Sequence, residues 1–173
     1  MTERRLRQTM LISYKGIVPE RFEDAPFVGA LLIANDCHMG CKGCFNQHLR
    51  DIETLTETTD EILDKVQANP LHEGIILAGL EWSEQLEQMI DLVTAAKRRG
   101  LQVMIYTGHT LDEFIEVVGN DNYYDKLAGC YLKLGKYDET KLTKDIEWCG
   151  VKMASFNQYI LKIPGPFQEN TQP

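Results

Sequence analysis

Three cysteines fall within eight positions, in the run Cys37-His38-Met39-Gly40-Cys41-Lys42-Gly43-Cys44-Phe45-Asn46. Thiolates are soft metal ligands, and thiols clustered like this in a reducing compartment bind metal more often than they pair as disulfides. Positions i, i+4 and i+7 would share one face of a helix. Gly40 and Gly43 argue against a helix, since each costs about 0.8–1 kcal/mol there relative to alanine. The glycines suit a loop that curls until Cys37, Cys41 and Cys44 converge and lets backbone N–H groups approach the sulfurs. A structural zinc site would need four protein ligands, and would have to recruit His38, His48, Cys130 or Cys149. A cluster ligated wholly by protein would need a fourth cysteine nearby, and the sequence has none close by. Three thiolates alone leave one coordination position open on an iron–sulfur centre, as a reactive site requires. Cys130 and Cys149, far downstream, read as small buried hydrophobic residues.

The rest of the composition sets limits on partners. The chain has 173 residues, the length of one domain, and ordinary apolar and charged fractions. Its formal net charge of −8 excludes a role in wrapping nucleic acid, because the cations that would release counterions are missing. No apolar run approaches the roughly 20 residues of a membrane span. Met1 to Arg7 is basic but is followed by Gln8-Thr9-Met10 rather than an apolar core, so no secretion signal is expected and the chain is expected in the cytoplasm.

Strand-like and helix-like segments alternate from Val28 onward. Val28–Ala34, Gly74–Ala78, Leu101–Tyr106 and Cys130–Leu134 are short apolar runs of the kind buried on both faces of a sheet. Val151–Ala154 and Gln158–Ile163 are expected as further strands. Thr59–Gln67 and Leu111–Val118 carry helical periodicity, and so does the segment from Ser83, read as an N-cap, to Gly100 as the stop. The pattern predicts an α/β domain over 1–163 with five or six mostly parallel strands, and a Pro-rich tail over 164–173. A closed eightfold barrel takes about 250 residues, so an open sheet or partial barrel fits the length. Ligands of such sheets gather at the carboxyl ends of the strands, and the cysteine loop follows the first of these strands directly.

Cys-x3-Cys-x2-Cys after the first strand resembles the signature of the radical S-adenosylmethionine (SAM) enzymes. From about Val18 to about Ile163 the chain resembles the activating protein of anaerobic ribonucleoside-triphosphate reductase. Gly43-Cys44-Phe45-Asn46 is similar to that family's Gly-Cys-aromatic-Asn. Gly79-Leu80-Glu81-Trp82 corresponds to its Gly-Gly-Asp/Glu-Pro, Tyr106-Thr107-Gly108-His109 to its Trp/Tyr-Thr-Gly-Tyr, and Asp24-Ala25-Pro26 to a Gly-Pro-Gly turn. Leu134-Gly135-Lys136-Tyr137-Asp138 and Ser155-Phe156-Asn157-Gln158 resemble two later segments.

The resemblance implies a partial (βα) barrel holding a [4Fe–4S] cluster on Cys37, Cys41 and Cys44, with SAM chelating the fourth iron. Gly43, Cys44, Phe45, Asn46, Gly79, Leu80, Glu81, Thr107 and His109 are the residues it implies for cofactor binding, with Glu81 facing the SAM ammonium group. It further implies a glycyl radical reductase as protein substrate and a flavodoxin-like or other low-potential electron donor. Leu80 and Trp82 depart from the pattern where the family has Gly and Pro, Ala25 and Phe27 where it has glycines, and Lys133 where relatives often carry an acid. Activation of another glycyl radical enzyme, a small-molecule radical SAM reaction and a zinc-stabilised binding module are the competing expectations.

Overall fold

The computed structural model describes residues 10–165. The basic segment Met1–Arg7 and, of the expected Pro-rich tail, residues 166–173 lie outside the described residues. Seven strands form one sheet. Its centre is parallel: β2 (Gly29–Ala34), β4 (Gly74–Ala78), β5 (Gln102–Tyr106) and β6 (Tyr131–Leu134) run side by side in that order. Antiparallel strands extend it at both edges. β1 (Leu11–Arg21) pairs with β2 and carries β3 (Leu55–Thr58) outside it, while β9 (Tyr159–Lys162) pairs with β6. A separate short hairpin joins β7 (Glu147–Trp148) to β8 (Val151–Lys152).

The expectation of five or six mostly parallel strands therefore needs correction. Three of the six neighbouring pairs in the main sheet are parallel and three antiparallel. The difference lies in β1 and β3, which the apolar runs do not mark, and in the direction of β9.

Side-chain alternation along the strands sorts the core into two layers. Ile75 and Leu77 of β4, Val103 and Ile105 of β5, and Leu132 and Leu134 of β6 pack with the three helices in one cluster. Those helices are α1 (Thr59–Gln67), α2 (Leu86–Arg98) and α3 (Leu111–Val118). On the opposite face Ile76, Ala78, Met104 and Ile160 pack with Ala25, Phe27, Val151 and Met153. That face thus carries a turn and a hairpin instead of helices, and it keeps room for a ligand.

Local sequence accounts for the helix ends. Thr58 and Glu61 form a reciprocal capping box at α1, and Thr110 and Glu113 form another at α3. Ser83 is not the cap of α2. A 3₁₀ turn, Trp82–Gln85, precedes that helix, and the Glu81 carboxylate caps the turn by accepting from the Ser83 N–H. The Trp82 indole is fully buried and donates to the Leu32 carbonyl at 2.9 Å, which pins this turn to β2.

Candidate iron–sulfur site

The cysteine loop leaves the carboxyl end of β2 and is irregular, as its two glycines predict. Gly40 and Gly43 both have positive φ, at 65° and 71°. A Cβ on Gly43 would also run into the Glu139 carboxylate. The Cys44 N–H donates to the Cys41 carbonyl at 3.3 Å, closing the last turn of the loop. The start of the loop is tied down at Asp36: its side chain accepts from the Cys37 N–H (2.8 Å) and from Arg50 Nε (2.7 Å), and its carbonyl accepts from the Glu81 N–H at 3.1 Å.

Cys37, Cys41 and Cys44 are all partly buried and line one cavity of about 130 Å³. Burial pushes the thiols of Cys37 and Cys41 up. Glu81 and Glu84 add to this at Cys37, and Cys44 adds to it at Cys41. The Met39 N–H at Cys37, and Lys136 with the Tyr137 N–H at Cys41, act the other way. A metal centre deprotonates coordinating thiols outright, and N–H groups aimed at sulfur are among the features that set a cluster's potential.

The donor set suits a cluster better than one ion. A single zinc needs four donors within about 2.0–2.3 Å of one point. Among the described residues no group of three or more His, Cys, Asp or Glu side chains, the three cysteines included, is already gathered to hold a single metal ion. Of the four residues considered as extra zinc ligands, His38 lines a second cavity, of about 320 Å³, together with Cys37, Cys41 and Cys44, and the other three lie apart from it. His38 is exposed and bonded to Glu84 through Nδ1 at 2.7 Å, His48 is exposed, and Cys149, expected to be buried, is exposed instead because it sits in the turn between β7 and β8. Cys130 is buried in the core, where its thiol is pushed up to about 11.

The same cavity collects Asn46, Gly79, Leu80, Glu81 and Thr107. Gly79 has φ 82°, and its missing side chain lets the chain pass against Ile33. Glu81 is only 4% exposed. One of its oxygens accepts from the Ser83 hydroxyl at 2.7 Å, the other from the Gly108 N–H at 2.9 Å. It thereby braces the loop after β4 to the loop after β5. Thr107 is buried, with its N–H donating to the Lys133 carbonyl at 2.9 Å.

Three implied residues lie apart from the cysteine cavity. Phe45 is 66% exposed, stacks edge-on against Tyr137 and lines a neighbouring cavity. Gly43 shapes the loop without lining that cavity, and His109 turns towards Glu113, its Nδ1 4.0 Å from that carboxylate. Residues not among those implied for cofactor binding help to complete the wall: Tyr106, Tyr137 and Gln158, which lie inside the quoted motifs, and Lys133, the departure noted above. Gln158 donates to the Gly135 carbonyl at 3.1 Å and accepts from the N–H groups of Ala154 and Ser155, so the two late segments are tied together beside the cysteines. Tyr106 and Lys133 stand at or near the carboxyl ends of parallel strands, which is the signal that could have found them.

Fold and site define an α/β protein with a three-cysteine loop at the carboxyl rim of its parallel strands. The family model described as "4Fe-4S single cluster domain" matches residues 27–161, and the chain belongs to that family, which is found in radical SAM-related proteins. A [4Fe–4S] cluster-binding domain is therefore present, with the cysteine loop inside the matched region. No curated protein matches the chain. Among the described residues no helix is long and apolar enough to cross a membrane.

Proposed function

We propose that this chain is a cytoplasmic radical SAM activase that installs a glycyl radical on an anaerobic ribonucleoside-triphosphate reductase. In this reading the sheet is a partial barrel of the radical SAM type, and its helix-free face is the reaction chamber. One observation carries the proposal: the three cysteines and the buried Glu81 carboxylate line a single cavity at the carboxyl ends of the parallel strands. When bound, the cluster supplies the electron that splits SAM into methionine and a 5′-deoxyadenosyl radical, which takes a hydrogen atom from the substrate.

The chain's own residues supply position and environment. Cys37, Cys41 and Cys44 would hold the cluster, and with no fourth protein thiolate beside them they would leave one iron for SAM. Glu81 accepts a charge-assisted hydrogen bond from the SAM ammonium group, to which its partly filled acceptor capacity is suited. Leu80, Tyr106 and Tyr137 help to keep water from the reacting centre. The substrate is a glycine Cα–H of the large reductase subunit, and a flavodoxin-like or other low-potential protein delivers the electron.

The test uses anaerobic, cluster-loaded and reduced protein mixed with SAM and the candidate reductase. A glycyl radical signal in electron paramagnetic resonance is expected. SAM cleavage without that signal would show that the substrate is a different molecule.

A further inference from the structure

The turn on the helix-free face is the connection from β1 to β2, residues 22–28, which straps that side of the sheet. Ala25 and Phe27 press it onto the strands, and the Tyr106 hydroxyl donates to the Asp24 carbonyl at 2.7 Å. Both feet of this strap rest on His72 and Glu73, at the amino-terminal end of the parallel strands, the opposite end from the cysteine loop. At the second foot the Val28 N–H donates to the Glu73 carboxylate at 3.0 Å, and the Val28 carbonyl accepts from the Glu73 N–H at 2.8 Å. At the first foot the Glu20 N–H donates to His72 Nε2 at 3.0 Å.

This first foot is strained. Glu20 has φ 55°, in the left-handed region that L side chains disfavour, and lies within the register shift between Val18 and Arg21. Such a conformation persists where its surroundings hold it, and it gathers at switch points. The holding group here is an imidazole, and its partners fix its state. A backbone N–H only donates, so Nε2 is the unprotonated nitrogen; the Val66 carbonyl only accepts, so Nδ1, 2.8 Å from it, carries the proton. Both bonds together require a neutral ring. A proton on Nε2 takes away the acceptor of the Glu20 N–H.

The titratable groups beside the ring are acids, Glu20 across from it and Glu73 next in the chain. The Glu20 carboxylate accepts from Asn69 Nδ2 at 3.0 Å, and the same Nδ2 lies 3.4 Å from His72 Nε2, so the carboxylate is within a short swing of the ring. Towards α1 the ring meets the uncharged Asn69 and the Val66 carbonyl. An imidazolium therefore has a charged partner at hand in the side chain of the residue whose backbone bond it has given up.

We infer that His72 is an acid-sensitive latch on this strap. Neutral, it holds Glu20 in its left-handed conformation; protonated, it exchanges the Glu20 N–H for the Glu20 carboxylate and frees the first foot. Arg21 and Asp24, just beyond that foot, form an ion pair and line the cavity on the helix-free face, so the latch sets how firmly that wall is held. The device goes beyond the activase reading and does not depend on what the face binds.

Nuclear magnetic resonance of the oxidised, cluster-loaded protein at constant iron content tests it, at about pH 7.5 and about pH 5.5. At the higher pH a scalar coupling across the N–H···N bond should join Glu20 N to His72 Nε2. At the lower pH that coupling should vanish, and exchange of the Glu20 amide, corrected for its intrinsic rate, should be at least fivefold faster, while Ile76 of β4 stays within twofold. His72→Gln, whose side-chain oxygen can accept the same N–H but takes up no proton in this range, should hold the Glu20 amide within twofold across the two conditions. A missing coupling at the higher pH, a coupling that survives acid, equal acceleration at Ile76, or an undiminished pH response in His72→Gln would overturn the inference. The coupling is read on the parent chain, so this outcome does not hang on the variant.

Discussion

At the scale of single residues, Glu81 links the cysteine cavity to the sheet. Its carboxylate already serves Ser83 and Gly108, and it faces the cavity that the cysteines line. Glu81→Gln separates bracing from ligand recognition. The amide keeps an acceptor for one of these partners but turns its NH₂ group towards the other, costing about 1–3 kcal/mol of stability in a urea titration. The proposed contact with the SAM ammonium group predicts in addition a loss of at least tenfold in SAM affinity at unchanged iron and sulfide content, read by equilibrium dialysis. Lower stability with unaltered SAM affinity would reduce Glu81 to a brace between two loops.

At the scale of elements, the cysteine loop depends on backbone conformations that side chains resist. Gly43 sits at φ 71°, and a Cβ there would displace Glu139 from its ion pair with Lys42. Gly43→Ala is expected to cost at least about 1 kcal/mol in the loop and to lower iron retained per chain under mild chelation, with the rest of the fold intact by circular dichroism. Undiminished iron retention would mean that the loop tolerates a different path.

This loop and the four central strands were legible because spacing, glycines and apolar runs all point one way. β1 was not. Only Ile12 and Tyr14 along it are fully buried, and a register shift at Lys15, between Tyr14 and Gly16, breaks its alternation. β3, Leu55-Thr56-Glu57-Thr58, buries nothing deeply and exists through its ladder with β1, a long-range pairing with no local signal. Ser83 was misread as a cap because Trp82–Gln85 forms a 3₁₀ turn, with Glu81 supplying the carboxylate one step earlier. Lys133 was legible as a departure from its relatives, but that it lines the cysteine cavity emerges only once β6 lies beside β5.

At the scale of the whole molecule, the parallel centre brings loops from β2, β4, β5 and β6 to one rim. The helices bury the opposite face, so the ligand-bearing side stays open. Family membership establishes the cluster-binding domain, and the shared cavity of the cysteines and Glu81 supports the proposed SAM chemistry beside it. The most direct measurement is chromatography of the products after anaerobic, reduced protein carrying its full iron and sulfide is incubated with SAM. The account predicts methionine and 5′-deoxyadenosine in equal amounts, both lost in Cys41→Ala. SAM recovered intact from fully loaded, reduced protein would contradict it.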